Sequence, residues 1–335
     1  MKGIICGTGS AVPVGIVNNQ DLTKLVETND EWIRERTGIV RRHVAGSETT
    51  VSLAAEAAKR ALADAKADAE EIDLIIVSTI SSNVILPCTA CEVQKEIGAV
   101  NAFCFDLNAA CTGFVLAYQT ACAYLASGHC RAALVIGSEC LSKLINWQDR
   151  GTCILFGDGA GAVVIRADEG QLYFPVVHSD GARGDALTCA SRYDGRYQTK
   201  IAELLHQKKN TDELFSETSY FMQMDGQTVF KFAVRSVPEV IDEVLEKNHL
   251  QKEEIDWFLL HQANRRIVEA VAKRMEEPIE KFPMNLQEYG NTSSASIPLL
   301  LNEMNQKGML ESGQKIVLAG FGAGLTWGAS ILEWK

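Results

Sequence analysis

Cys111, His261 and Asn291 have the residue types and the settings to work together on one substrate. Cys111 lies in Asp106-Leu107-Asn108-Ala109-Ala110-Cys111-Thr112-Gly113-Phe114, where a short buried strand, Phe103 to Leu107, hands over to an apolar helix, Thr112 to Ala126. Unpaired N–H groups and the positive dipole end at a helix start favour a thiolate, so this thiol is expected to have a lowered pKa and to act as a nucleophile. His261 ends the apolar run Trp257 to Leu260, just before a second helix, in Leu260-His261-Gln262-Ala263-Asn264. Asn291 occupies another turn before a helix, Tyr289-Gly290-Asn291-Thr292-Ser293-Ser294. Taken singly, a histidine at a strand end or an asparagine beside glycine is usually structural. The case rests on their shared setting, the strand-to-helix junctions where open sheets place ligands.

What positions them is a duplication. Glu70-Glu71-Ile72-Asp73-Leu74-Ile75-Ile76-Val77 has a counterpart 183 residues later in Glu253-Glu254-Ile255-Asp256-Trp257-Phe258-Leu259-Leu260. At the same offset Leu134-Val135-Ile136-Gly137 matches Val317-Leu318-Ala319-Gly320, and Asn108 falls on Asn291. Each Glu-Glu-Ile-Asp follows a helix-like stretch and leads into a continuous apolar run, the pattern of a strand covered on both faces. The fold expected is α/β, two related halves each with a sheet flanked by helices. The break Arg166-Ala167-Asp168-Glu169-Gly170 sets the halves at residues 1–170 and 171–335. Cys111 and Asn291 then stand in near-equivalent places, and His261 is the counterpart of Ser78. Residues 183 to 225, with Gly184, Gly195 and Gln207-Lys208-Lys209-Asn210, show little periodicity and are expected to form a long binding loop or lid.

Composition narrows the function classes. The chain has 335 residues, 47% of them hydrophobic and 22% charged, as in a soluble globular protein. A formal net charge of −11 argues against a nucleic-acid partner. No apolar run reaches the length of a membrane span. Met1-Lys2 runs directly into the strand-like Gly3-Ile4-Ile5-Cys6, so ten cysteines without an export signal imply a cytoplasmic chain with free thiols. Cys88-x-x-Cys91 has no second ligand pair nearby, so no metal site is expected. The clusters Gly7-Thr8-Gly9, Gly157-Asp158-Gly159-Ala160-Gly161 and Gly320-Phe321-Gly322-Ala323-Gly324 lack the strand–glycine–helix context of a nucleotide-cofactor loop.

From end to end the chain resembles the β-ketoacyl-[acyl carrier protein] synthase III family of thiolase-like condensing enzymes. The matching segments are Gly7-Thr8-Gly9-Ser10-Ala11-Val12-Pro13, Asp30-Glu31-Trp32-Ile33 with Arg36-Thr37-Gly38-Ile39, and the Cys111 segment. They continue with Asp149-Arg150-Gly151-Thr152, Phe156 to Ala162, and His261-Gln262-Ala263-Asn264. Asn291-Thr292-Ser293 and Gly322-Ala323-Gly324-Leu325-Thr326-Trp327-Gly328 complete the set. The resemblance implies a thiolase-like fold with a layered α-β-α-β-α core. It further implies acyl transfer from acyl-CoA to Cys111, then decarboxylative condensation with malonyl-acyl carrier protein to start fatty acid synthesis. His261 and Asn291 would hold the malonyl thioester carbonyl, and the N–H groups of Cys111 and Ala323 would form an oxyanion hole. Trp32 and Arg150 would sandwich the CoA adenine, with Arg36 near its phosphates and Gly226 and Asn264 along the pantetheine. An acidic carrier protein would dock on Gln262, Ala263, Asn264, Arg265, Arg266 and Lys231, with Lys273 and Arg274 further along the same helix. The resemblance also implies a homodimer and no cofactor.

Two departures from the family pattern matter. Leu86-Pro87 stands where many relatives carry a bulky aromatic that reaches into the partner's primer pocket, so a longer or branched primer would have room. Ala323 replaces a common glycine, which costs about 1 kcal/mol if the position needs φ > 0. Outside the family, a Cys-His-Asn set also serves thiol hydrolases, but the local Cys-Gly-Ser-Cys-Trp signature is absent. Thiolase itself needs a second cysteine near the C-terminus, and the last here is Cys189. A specialised acyltransferase of the same family is the closer alternative, and a non-catalytic scaffold the third.

Overall fold

The structure is a computed structural model that describes residues 2–190 and 220–335. Its strands, in chain order, are β1 (Lys2–Ala11), β2 (Ile16–Asn18), β3 (Arg41–His43), β4 (Leu74–Ser78), β5 (Phe103–Leu107), β6 (Ala132–Cys140) and β7 (Asp158–Asp168). There follow β8 (Val176–Ser179), β9 (Leu187–Thr188), β10 (Gln223–Met224), β11 (Trp257–Leu260), β12 (Lys315–Gly322) and β13 (Thr326–Glu333). One sheet has the order β1-β7-β6-β4-β5, the other β11-β12-β13-β8. In both, the strand leaving the Glu-Glu-Ile-Asp segment pairs parallel with the next strand inward: β4 with β6, and β11 with β12.

Strand periodicity sorts the apolar runs into layers. Leu74 and Ile76 of β4 face a central core with Phe114, Tyr118, Leu259, Leu300 and Leu318. Ile75 and Val77 point the other way, onto the alanine face of the helix Thr50–Asp64. In β12, Ile316 and Leu318 enter the central core, while Val317, Ala319 and Phe321 pack under the helices Gly226–Lys247 and Arg265–Met275. The helices Gly113–Ala126 and Ser296–Gln306 lie between the sheets. The layers are therefore α-β-α-β-α, and the continuous apolar runs exist because both faces of each inner strand are covered.

The duplication extends to details that sequence identity does not show. The 3₁₀ turns Ala69–Glu71 and Lys252–Glu254 match at the 183-residue offset. So do two pairs of non-glycine residues with left-handed backbone, Lys66 with His249 and Ala110 with Ser293. The strands of one sheet end at Asp168 and those of the other begin at Val176, and the proposed division at 170/171 falls in this connection.

Two readings change. The Phe103–Leu107 strand is not buried: β5 is a sheet edge paired only with β4, and Phe103 is 44% exposed. Of the segment 183 to 225, the 3₁₀ turn Gly181–Ala186 and the β9–β10 ribbon are seen, whereas Gly195 and Gln207-Lys208-Lys209-Asn210 lie outside the described residues. Among the described residues no helix is long and apolar enough to cross a membrane.

Candidate active site

Cys111 sits in the 3₁₀ turn Ala110–Thr112, between the end of β5 and the helix Gly113–Ala126. The turn is sharp, with Ala110 at φ 46°, and it buries the thiol. Burial decides its acidity. Loss of water pushes the Cys111 pKa up to about 12, the nearby Ser293 hydroxyl opposes this, and the Glu139 carboxylate adds to it. The Ser293 hydroxyl favours the thiolate by proximity but makes no hydrogen bond of full geometry. The expected lowered pKa is thus corrected: in the free protein Cys111 is a neutral thiol, because desolvation outweighs what the helix start offers.

His261 follows the last residue of β11, and its N–H bonds to Ala319 O at 2.9 Å, extending the parallel pairing by one residue. The ring is 1% exposed, and burial lowers its pKa to about 3, so it is a neutral imidazole. Its Nδ1 lies 2.8 Å from Ser296 Oγ and its ring meets Phe321 edge-on. Asn291 is anchored by its backbone: Asn291 N–H donates to Leu155 O, and Gly157 N–H donates to Asn291 O. The Asn291 Oδ1 accepts the Ser293 N–H at 2.9 Å. That bond fixes the amide and leaves Nδ2, without a partner among the described residues, as a donor. Cys111, His261 and Asn291 all line one open cavity of about 1340 Å³.

Next to the cavity wall lies Glu139, a carboxyl group near the end of the largely apolar strand β6 and fully buried. Its Oε2 accepts bonds from the Thr79 and Ser81 hydroxyls and the Ile80 N–H, and its Oε1 accepts from the Ser294 hydroxyl at 3.0 Å. Burial raises its pKa to about 7 against these donors. Glu139 thus ties the 79–81 segment, part of the cavity wall, to the turn that carries Asn291. Gly137 permits the approach, since a Cβ there would stand 2.2 Å from Ser294 O. Glu139, Ser293 and Ser296 were not among the residues expected from the sequence. The one available signal was a lone acid in an otherwise apolar strand.

The remaining expected residues fall around the rim. Arg36, Gly226, Ala263, Asn264, Arg266 and Ala323 line the cavity, and Trp32, Arg150, Gln262, Arg265 and Lys231 do not. Arg150 lies over the Trp32 ring, its guanidinium carbon 4.9 Å from the centroid, and Arg36 lies 5.4 Å from the same ring. Trp32 and Arg150 are therefore already in contact, and a planar group entering between them must part them. Asn264 caps the helix Arg265–Met275 through Arg266 N–H and donates to Arg36 O, joining the two rim segments. Arg265, Arg266, Lys231 and Lys273 are exposed, Arg266 over the Phe230 ring, while Arg265 pairs with Glu269 and Arg274 with Glu239. Gln262 is different from its expected surface role. Its side chain is buried, donating to Leu260 O and accepting from Asn285 N–H, so it is a scaffold residue with no free amide to offer a partner. Leu86 is 83% exposed and does not line this chain's own cavity, although residues 80–85 just before it do. Ala323 has no positive φ; the unusual angle falls on Gly324, at φ 133°, so the feared strain is absent. Cys88 and Cys91 are free thiols 3.4 Å apart, and no group of metal-ligating side chains is found among the described residues.

Residues 105–181 match the family described as 3-oxoacyl-[acyl-carrier-protein] synthase III, and residues 245–334 match its C-terminal region. Proteins named β-ketoacyl-[acyl-carrier-protein] synthase III from Clostridium acetobutylicum and Clostridium novyi are 49% and 47% identical, over 98% of both chains in each case. The crystal structure of the 3-oxoacyl-[acyl-carrier-protein] synthase III of Aquifex aeolicus superposes with a TM-score of 0.89 at 40% identity, covering 99% of this chain and 100% of that one. With Cys111, His261 and Asn291 brought to one cavity between two duplicated halves, the chain belongs to the β-ketoacyl-[acyl carrier protein] synthase III family of thiolase-fold enzymes.

Proposed function

We propose that the chain moves an acyl group from acyl-CoA onto Cys111 and joins it to the malonyl group of malonyl-acyl carrier protein, the first condensation of fatty acid synthesis. The observation that carries this reading is the composition of the cavity: one thiol sharing it with two side chains whose free polar atoms, His261 Nε2 and Asn291 Nδ2, have no protein partner among the described residues. In the first half-reaction the Cys111 sulfur attacks the acyl carbonyl, and CoA leaves with the proton the thiol gives up. The N–H groups of Cys111 and Ala323 would hold the transient oxyanion, each donor worth about 2.7–4 kcal/mol.

In the second half-reaction the malonyl thioester carbonyl sits between His261 and Asn291. As CO₂ departs, negative charge builds on that oxygen, and the resulting carbanion attacks the acyl group on Cys111. A neutral imidazole and an amide suit an enolate, because they donate without handing over a full proton. No step requires a metal or a cofactor. The rim cations Arg36, Arg265, Arg266 and Lys231 are the local positive surface that an acidic carrier protein needs on a chain of net charge −11. Arg36 with Trp32 and Arg150 offers a planar, cationic seat for CoA. The exposed apolar residues Val84, Ile85, Leu86, Val100 and Phe103, on and beside the free edge strand β5, favour a homodimer in which Leu86 meets the partner's primer pocket. A cytoplasmic location fits the free thiols.

The test is an acyl-CoA incubation followed by mass spectrometry of the intact protein and its peptides. An acyl adduct should accumulate on Cys111, and His261→Ala and Asn291→Ala should still acylate yet fail to condense malonyl-carrier protein. Rapid turnover of acyl-CoA to free acid with no adduct would instead identify a thiol hydrolase.

A further inference from the structure

The His261 ring is neutral, so one nitrogen carries a proton and the other does not. Which one is settled by a residue outside the expected set. Ser296, the first residue of the helix Ser296–Gln306, is 2% exposed. Its Oγ accepts the Gln262 N–H at 3.4 Å and lies 2.8 Å from His261 Nδ1. A buried hydroxyl must place its own proton on an acceptor. Serines in helices often turn back to a carbonyl four residues earlier, here that of Thr292. Ser296 makes no such bond, and among the described residues the only acceptor within its reach is Nδ1. Were Nδ1 protonated, two donors would converge on Ser296 Oγ and the hydroxyl proton would be stranded.

We infer that Ser296 is a positioning residue: by donating to Nδ1 it holds His261 as the Nε2–H tautomer, with a hydrogen-bond donor facing the cavity. The site then presents two donors, Nε2–H and Nδ2–H, to one substrate oxygen. The T-shaped contact with Phe321 limits ring rotation, so tautomer and orientation are set together. Helix geometry supplies the link: Asn291 and Ser296 stand at the two ends of one turn, so the segment that aims the amide also sets the proton on the imidazole. The tautomer assignment rests on the buried ring being neutral and on its hydrogen bonds; its catalytic consequence rests on the condensation reading above.

The experiment is a long-range ¹H–¹⁵N correlation spectrum of the histidine rings in ¹⁵N-labelled protein, with His261 identified by its loss in His261→Gln. The expected wild-type spectrum shows His261 protonated at Nε2 alone, with an Nδ1 resonance displaced by an accepted hydrogen bond. In Ser296→Ala that displacement is lost and a fraction protonated at Nδ1 appears, while Ser296→Thr, which keeps the hydroxyl, retains the wild-type pattern. A wild-type proton on Nδ1, or a His261 spectrum unaltered in Ser296→Ala, overturns the inference. The kinetic arm separates the two readings. Malonyl decarboxylation by the acylated Ser296→Ala enzyme should fall about tenfold, the loss of roughly one hydrogen bond, with Cys111 acylation unchanged and Ser296→Thr restoring the rate. The expected spectra with unaltered decarboxylation would leave the tautomer in place and sink the role of His261 in condensation.

Discussion

A methyl group placed on Gly322 would stand 2.9 Å from the Cβ of Cys111 and 3.0 Å from its backbone nitrogen. The end of β12 thus lies directly against the turn that carries the thiol, and the C-terminal half shapes the site as closely as the half that contains the cysteine. Backbone at this distance cannot yield cheaply. Gly322→Ala is expected to cost about 1–3 kcal/mol of stability by overpacking and to slow Cys111 acylation far more than a mutation at the rim. Denaturant unfolding together with the rate of adduct formation checks this; wild-type values in both would show that the turn can shift freely.

Glu139 makes stability depend on pH in a predictable direction. The folded protein holds its proton up to about pH 7, whereas an unfolded glutamate releases it near 4.5. The folded state therefore binds more protons between those values, and the stabilisation from this group is full below about 4.5 and lost as pH rises towards 7. Glutamine can replace it: the amide oxygen would take the three donors now on Oε2, and the amide nitrogen would donate to Ser294, whose hydroxyl can turn wholly to Ser78 O at 2.8 Å. Glu139→Gln should remove up to about 3 kcal/mol of the wild-type decline between about pH 5 and 8. His261 runs the opposite way, losing its contribution as pH falls below 6.5 towards 3, but it does so in both proteins. Parallel unfolding curves for wild type and variant would mean that the carboxyl does not titrate in this window.

The stacked pair of Trp32 and Arg150 should report on CoA alone. Arg150→Ala removes a guanidinium face worth about 1 kcal/mol at an exposed site, so the KM for acyl-CoA should rise about fivefold with kcat nearly unchanged. A fall in kcat with KM held would place Arg150 elsewhere in the reaction.

Leu86 should set the primer through the partner subunit. Leu86→Phe would fill the space left by the smaller side chain and is expected to shift the ratio of kcat/KM for acetyl-CoA over isobutyryl-CoA about tenfold towards acetyl-CoA. The competition is run on wild type and variant with malonyl-carrier protein. An unaltered ratio removes Leu86 from primer selection.

Much of this was legible in the chain. Cys111 and His261 announce themselves because each sits at a strand-to-helix junction, which changes in periodicity reveal. Asn291 was expected at another, but it lies between the helical turn Leu286–Tyr289 and the helix Ser296–Gln306, with a single bridge to Phe156 in place of a strand. The layered fold follows from the offset of 183, which the paired left-handed residues Ala110 and Ser293 repeat at a level no pattern reveals. Burial was harder. The position of Cys111 promised an acidic thiol, yet the residues that seal it come from β12 and from Ser293, far along the sequence. Gln262 was expected at the docking surface only through the family resemblance; its bonds to Asn285 N–H and Leu260 O show a buried scaffold role instead. Ser296 drew no notice in the sequence, since the partner that gives it meaning is 35 residues away.

The sealed thiol also bears on chemical lifetime. Peroxides and small electrophiles react with thiolates, and an enzyme that displayed one would be consumed by them between turnovers. Held as a neutral acid near 12, Cys111 offers such reagents little to attack. On the proposed reaction its nucleophilicity would be released only by the substrate, whose carbonyl would meet the N–H groups of Cys111 and Ala323, so recognition of the acyl carrier would double as protection of the catalyst.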